Sequence, residues 1–157
     1  MWWGLMKYLI DTSSMFDLRD YYPPDVFPSI WNLILQMFEE GTMFSVKEVF
    51  YELKDYQDYW KKYEDCFIEL SDFDNLNFIM SDSKFEVFQK QGLKKSNDDK
   101  WADPYLIACA MGDENLTILT EESLNNNAQS KIPYVCNELG IGCVNLLGLL
   151  KEMNLKL

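Results

Sequence analysis

Histidine is absent from the sequence, and its few cysteines are not arranged as metal ligands. None of them forms a C-x-x-C pair. Zinc sites built from cysteine and histidine are therefore not expected, and acid–base catalysis by an imidazole is excluded. Thiols without such a pattern are typical of buried side chains in a reducing compartment, which predicts a cytoplasmic location. The cysteines are Cys66, Cys109, Cys136 and Cys143.

Long apolar runs and glycine-rich loops are also missing. No stretch approaches the roughly 20 apolar residues that a membrane-spanning helix needs. The apolar start, MWWGLMKYLID, lacks a basic leader and a small-residue cleavage site. We therefore expect no signal peptide and no membrane partner, and we interpret residues 1–5 as an N-terminal extension. Neither the G-x-G-x-x-G nor the G-x-x-x-x-G-K pattern occurs, which argues against a nucleotide-binding loop.

Positive charge is scarce, because the formal net charge is −12 and Arg19 is the sole arginine. Such a chain does not present a broad basic surface that coats nucleic acid. A nuclease is still compatible with it, since a carboxylate site is acidic where it works and a bound cation changes the local sign. Apolar residues make up 48% and aromatic residues 15%, which predicts one globular domain over residues 1–157.

Apolar runs alternate with amphipathic segments along the chain, and this alternation predicts an α/β fold with a mostly parallel central sheet. A polar loop is expected up to Asp99, and Gly41 is expected to end a helix. The predicted strands are 7–10, 42–45, 116–120 and 143–147. The predicted helices are 27–40, 46–65 (as one helix or two), 84–91, 100–115, 132–140 and 147–153.

Several acidic residues follow predicted strands or lie near predicted helix starts. In an open parallel sheet, ligands bind outside the carboxyl ends of the strands. Carboxylates gathered there suit Mg²⁺ or Mn²⁺, which are hard cations that prefer oxygen ligands. The matching chemistry is metal-assisted phosphodiester hydrolysis, which needs neither histidine nor a covalent nucleophile. The candidate acids are Asp11, Glu52, Asp103 and Glu122, with Glu121 beside the last.

Four short motifs resemble the acidic motifs of PIN domains and occur in the same order. They are YLIDTSS at 8–14, SVKEVFYEL at 45–53, ADPYLIACA at 102–110 and ILTEES at 118–123. More narrowly, YLIDTSSMFDLRDYYPPDVFPSIW and KIPYVCNELGIGCVNLLGLLKEM are similar to a bacterial group of PIN-like proteins catalogued as a domain of unknown function. The resemblance covers about residues 6–153, and it is weakest over 55–99.

The resemblance implies a three-layer α/β/α sandwich and an endoribonuclease that depends on Mg²⁺ or Mn²⁺. Its RNA substrate would be single-stranded or structured. Such proteins are often the toxin of a toxin–antitoxin pair, so an antitoxin protein is an expected partner, and a homodimer is a further expectation. The acids of the motifs would be both catalytic groups and metal ligands. By motif position they are Asp11, Glu52, Asp103 and Glu122, with Thr12 or Ser13 orienting the first acid.

Each candidate acid has an alternative role. Asp11 is also placed to cap the following helix, although residues 12–14 offer hydroxyls for that role and would leave it free to bind metal. Asp103 precedes a proline, which is typical of a helix N-cap. We favour metal binding for both. Glu48 lies one helical turn before Glu52 and is an alternative second acid. At the position of Glu122, the fourth acid of the motifs, PIN domains more often have aspartate than glutamate.

The basic residues and the whole chain also have alternative interpretations. Arg19 suits a phosphate contact, but an ion pair with Asp17, Asp20 or Asp25 is favoured. The Lys90–Lys100 cluster is either an RNA-facing loop or, as we prefer, a solvated loop, because acids interrupt it. The alternative for the whole chain is a catalytically weak PIN-like binding module that acts through a protein partner.

Overall fold

A five-stranded sheet, in which every strand pairing is parallel, lies at the centre of the fold. The computed structural model describes residues 6–95, 101–122 and 128–156. The strands are β1 (Lys7–Ile10), β2 (Met43–Val46), β3 (Phe67–Ile68), β4 (Leu116–Leu119) and β5 (Gly142–Val144). They lie in the order β3-β2-β1-β4-β5. The predicted α/β class with a parallel sheet is confirmed.

Helices in the described residues surround this sheet, as a three-layer α/β/α sandwich requires. Four short 3₁₀ segments, at 54–56, 61–66, 83–85 and 90–94, lie between them. The α-helices are α1 (Thr12–Tyr21), α2 (Pro28–Glu40), α3 (Lys47–Glu52), α4 (Gln57–Trp60), α5 (Asp74–Ser81), α6 (Glu86–Gln89), α7 (Asp103–Met111), α8 (Ile132–Leu139) and α9 (Leu146–Glu152). None of the described helices is long and apolar enough to cross a membrane.

The strand β1 is the central strand, and its position explains its unbroken apolar sequence. It pairs with β2 on one side and with β4 on the other, so Leu9 lies opposite both Phe44 and Ile118. Tyr8, Leu9 and Ile10 are all buried. A strand covered on both faces has no solvent side, and therefore no polar alternation.

The segment 46–65, predicted as one helix or two, forms two short α-helices and not one continuous helix. The structure has α3, a 3₁₀ turn, α4 and a second 3₁₀ segment in its place. The break follows Leu53, because Lys54 adopts a φ of 52°, which a right-handed helix cannot contain. The turn brings Trp60 against the aromatic side of α2, where its ring centroid lies 5.1 Å from that of Phe38. The chain therefore packs Trp60 against Phe38 instead of continuing as one helix.

Other differences concern short or locally ambiguous elements. The pattern did not predict β3, which has two residues, or α5, whose Asp, Asn and Ser are weak helix formers. The last strand is shorter than predicted, since Asn145 caps α9 by accepting a hydrogen bond from the Gly148 N–H at 2.8 Å. The helix predicted over 84–91 is divided among 3₁₀ and α segments. The polar loop lies partly outside the described residues, and the extension at 1–5 lies entirely outside them.

Glycine at the end of α2 provides a test of the predicted helix stop. Gly41 has a φ of 80°, whereas Gly112 at the end of α7 has a φ of −82°. We expect Gly41→Ala to destabilise the protein by about 1 kcal/mol, because an alanine Cβ strains a left-handed residue. Gly112→Ala is the matched control and should change stability by no more than about 0.5 kcal/mol. Urea denaturation of both variants measures this, and equal effects would contradict the assignment.

Candidate metal centre

Asp11 follows the central strand directly, and its carboxylate is buried with only 3% exposure. The backbone N–H of Asp11 donates to the carbonyl of Leu119 at 2.8 Å, which continues the pairing of β1 with β4. Asp11 is the N-cap of α1, and its Oδ1 accepts from the Thr12 N–H at 2.7 Å. The suggestion that residues 12–14 would take over the capping is therefore wrong. Capping uses one of the two oxygens of this carboxylate, Oδ1.

The second carboxylate oxygen of Asp11 is held by two hydroxyl groups. Its Oδ2 accepts from Ser13 Oγ at 2.9 Å and from Thr120 Oγ1 at 2.8 Å. Of the two hydroxyls predicted to orient Asp11, that of Ser13 makes this bond, whereas Thr12 contributes its backbone N–H. The role of Thr120 was not predicted. The sequence signal for it is a hydroxyl residue just after the strand that pairs with β1.

Asp103 is the first residue of α7 and does not cap it. The N-cap is Ala102, and Pro104 occupies the first turn. The N-cap interpretation of Asp103 is thus wrong by one position. Asp103 therefore lies in the first turn of α7, and the Trp101 side chain lowers the pKa of its carboxyl, against the larger effect of burial.

Two adjacent glutamates after β4 bind the starts of two helices. Glu122 Oε2 accepts from the Ile132 N–H at 2.7 Å, at the start of α8. Glu121 Oε1 accepts from the Leu146 N–H at 2.6 Å, at the start of α9. A carboxylate at a helix N-terminus is stabilised by unpaired N–H groups and by the helix dipole. Glu121 therefore has a structural role, and Glu122 is fixed in position.

Three of the four predicted acids form one cluster. One carboxylate oxygen from each of Asp11, Asp103 and Glu122 lies within 4.8 Å of the other two. These residues belong to three separate segments, so the tertiary fold creates the cluster. Spacing of this kind allows three carboxylates to bind one cation.

The cluster is electrostatically unfavourable without a cation, as its pKa values indicate. Burial, followed by the charges of Asp11, Glu122 and Glu52, raises the pKa of Asp103 well above its ordinary value. Burial and the charge of Asp11 raise the pKa of Glu122. Burial also raises the pKa of Asp11, although hydrogen bonds from Thr120 and its neighbours act in the opposite direction. The site therefore favours protons or a cation.

Glu52 lines the same cavity but is not part of the three-carboxylate cluster. One of its oxygens accepts a short hydrogen bond from the Thr12 hydroxyl, and the other accepts from the Ala102 N–H at 3.0 Å. Thr12 follows Asp11 and Ala102 precedes Asp103. Glu52 thus links the two segments that carry these ligands, and direct metal binding by Glu52 stays a prediction.

Glu48 lies apart from the cluster, in a second cavity on the other side of Tyr51 and Trp101. Both glutamates belong to α3, but the side chains at these two positions line different cavities. Of the two alternatives for the second acid, the structure therefore places Glu52, and not Glu48, beside Asp11 and Asp103.

The cavity above the cluster has a volume of about 450 Å³ and combines acids with lysines. Lys54, Lys95 and Lys131 line it together with the predicted acids. Lys95 belongs to the cluster that was interpreted as a solvated loop, so at least one of those lysines faces the acids. In a chain with a net charge of −12, this places cationic groups around an acidic site.

Arg19 does not line this cavity. Its Nε donates to Asp20 at 2.7 Å, which is the favoured ion pair, and its guanidinium lies 4.6 Å from the centroid of the Phe16 ring. Asp20 and Arg19 are both exposed, so the pair contributes little to stability.

Comparison with known families gives one match. The model of a domain of unknown function, DUF4411, matches residues 8–157. The chain belongs to this family. A search of curated proteins and a search of solved structures each find no significant match. All the acids of the DUF4411 domain discussed above, from Asp11 to Glu122, lie within the matched residues.

The like charges in this DUF4411 domain lead to a stability prediction. The folded-state pKa of Asp103 is raised, so its proton stabilises the fold, and this stability is lost as pH rises through that pKa. In EDTA at about pH 8, we expect Asp103→Asn to be more stable than the wild type by on the order of 1 kcal/mol. The difference should shrink at a lower pH, because the raised pKa of Asp103 lets the wild-type carboxyl regain its proton there.

Urea denaturation at both pH values measures this difference. Asp25→Asn is the matched control, because Asp25 is exposed and does not line the cavity of the cluster, and it should have little effect at either pH. A loss of stability in Asp103→Asn at the higher pH would contradict the prediction.

Proposed function

We propose that the protein is a divalent-metal-dependent ribonuclease whose centre is formed by Asp11, Asp103 and Glu122. One observation carries the proposal. Oxygen atoms of these three side chains, from separate segments of the chain, lie within 4.8 Å of one another beyond the strands β1 and β4. Buried like charges repel, so a cation would stabilise this arrangement. The carboxyl edge is also where open parallel sheets bind ligands.

The donor set fits Mg²⁺ or Mn²⁺. It consists of carboxylate oxygens, and the sequence contains no histidine that would favour softer metals. When bound, such an ion activates water and offsets charge on the attacked phosphate. Asp11 is already oriented by hydrogen bonds from Thr12, Ser13 and Thr120. Ligands held in this way lose little conformational freedom on binding metal.

The lysines of the cavity support a phosphodiester substrate. Lys54, Lys95 and Lys131 line the cavity together with the acids, and ammonium groups bind phosphate as point charges. The four acidic motifs that resemble PIN domains make RNA, single-stranded or structured, the proposed substrate. By the same resemblance, a toxin–antitoxin pair is the proposed setting and an antitoxin protein the proposed partner.

Glu52 is proposed to act by positioning. Its two oxygens hold the Thr12 hydroxyl and the Ala102 N–H, which lie next to Asp11 and Asp103 in the chain. The carboxylate thereby keeps the segments of two ligands together. This role differs from that of the second acid in the resemblance, where the glutamate is a ligand.

Loss of a single acid tests the ribonuclease proposal. We expect RNA cleavage in Mn²⁺ to fall at least about 100-fold in Asp11→Asn and in Asp103→Asn, because each removes a charged ligand. Gel analysis of a labelled single-stranded RNA measures the rate, and circular dichroism confirms the fold. Asp25→Asn is the control and should cleave as the wild type does. Equal cleavage by wild type and Asp103→Asn would identify the activity as contamination.

Metal binding itself is tested by thermal unfolding. Added Mn²⁺ should stabilise the wild type by about 2.7 kcal/mol at a concentration one hundred times its Kd, and EDTA should reverse the effect. The stabilisation should grow as pH rises, because protons compete with the metal for carboxyl groups whose pKa values are raised. Asp103→Asn should lose most of it. Equal stabilisation of the wild type and Asp103→Asn would argue against this site.

A further inference from the structure

A second cavity adjoins the acidic one and has no role in metal binding. Its volume is about 430 Å³, within the range of small-ligand sites, roughly 300–1,000 Å³. Tyr51 and Trp101 line both cavities, so the two share a wall. The other side chains that line it come from α3, α5 and α7. They are Glu48, Leu76, Asn77, Met80, Pro104 and Tyr105.

Trp101, on the shared wall, is held in place from several directions. Its ring centroid lies 5.0 Å from that of Phe88. On the same ring, a Cβ placed on Gly92 would lie 2.9 Å from Cζ3, so only glycine fits there without displacement. The Trp101 side chain also lies near the Asp103 carboxyl and lowers its pKa, against the larger effect of burial. A rigid aromatic surface thus lies directly beside a proposed metal ligand.

The chemistry of the second cavity differs from that of the first. The aromatic side chains of Tyr51, Trp101 and Tyr105 line it together with the apolar side chain of Met80. Glu48 contributes a carboxylate to the lining, and carboxylate oxygens are acceptors of the kind that pair with the amino groups of bases. Neither lysine nor arginine is among the described residues that line it. The occupant that fits is a flat, uncharged ring with polar edges.

We propose that this cavity binds an unpaired nucleobase of the RNA strand whose phosphate lies at Asp11, Asp103 and Glu122. The inference rests on the proposed ribonuclease function and names the substrate feature that the site recognises. Bases stack on aromatic side chains in single-strand sites, and each stacked base contributes about 1–3 kcal/mol. The backbone follows the lysine-lined cavity, while the base enters beside Trp101.

This arrangement requires an unstacked base next to the phosphate at the cluster. Bases in duplex RNA are stacked and paired, so the cavity favours single strands, loops and bulges. The recognised element is the ring itself, with Glu48 and Asn77 at its edge. The inference therefore assigns selectivity for unpaired bases to residues of α3, α5 and α7 that lie outside the metal cluster.

Binding of a fluorescent base tests the inference. The probe is a short single-stranded RNA that carries aminopurine at one position, and Ca²⁺ replaces Mn²⁺ during the measurement. Stacking on Trp101 should quench the aminopurine fluorescence, and the same RNA with an abasic site at that position should bind more weakly. We expect Tyr105→Leu to weaken binding of the aminopurine RNA about tenfold, since an aromatic wall is lost.

Matched variants separate this effect from damage to the fold or the metal site. Tyr21→Leu changes an exposed tyrosine that lines neither cavity, and it should bind RNA as the wild type does. Asn77→Ala changes an exposed residue and should weaken binding of the aminopurine RNA relative to the abasic RNA. Mn²⁺ stabilisation should be unchanged in Tyr105→Leu and Asn77→Ala, because neither residue touches the three-carboxylate cluster.

The outcomes distinguish this inference from the ribonuclease proposal. Equal binding of aminopurine and abasic RNA, in a protein that cleaves RNA through Asp11, overturns the base site and leaves the ribonuclease intact. Quenching that depends on Tyr105, without metal-dependent cleavage, supports the base site and overturns the ribonuclease. An effect of Tyr21→Leu as large as that of Tyr105→Leu would also overturn the base site.

Discussion

The buried carboxylate of Asp11 and the hydrogen bonds that hold it are the constraint on which the rest of the site depends. A carboxylate removed from water is costly unless several donors satisfy it. Here the donors include the N–H of Thr12 and the hydroxyl of Thr120, which is 109 residues away in the chain. Thr120 reaches Asp11 because Ile10 is paired with Leu119 in the sheet. A shift of that register by one residue would turn the hydroxyl away from Asp11.

The acids of the site also organise the fold around it. Glu122 and Glu121 bind the first N–H groups of α8 and α9, and Glu52 joins the segments next to Asp11 and Asp103. Helix starts carry unpaired donors and partial positive charge, so they offset part of the repulsion among these carboxylates. The same side chains therefore determine both the geometry of the cluster and the packing of the helices against the sheet.

Local charge, and not the net charge of −12, would govern how this chain binds a nucleic acid. The acidic cavity has lysines from three segments on its wall, whereas the adjoining cavity has aromatic rings and the carboxylate of Glu48. A polyanion needs cations along its backbone, and its bases need flat surfaces. Under the proposed function, the two cavities would meet these needs separately, with Trp101 lining both. Separate sites for the backbone and for the bases are compatible with an acidic protein.

Elements with local signals could be predicted from the sequence. The apolar runs predict β1 and β4, helical spacing and Gly41 predict α2, and the acids after the strands are the candidate ligands. Which acids converge, the place of Glu52 and not Glu48 beside them, and the bond from Thr120 to Asp11 all depend on the tertiary fold. These features depend on pairing between segments that are far apart in the chain. The hydrophobic period fixes which face of a segment is buried, but it carries no information about which distant side chain a carboxylate will meet.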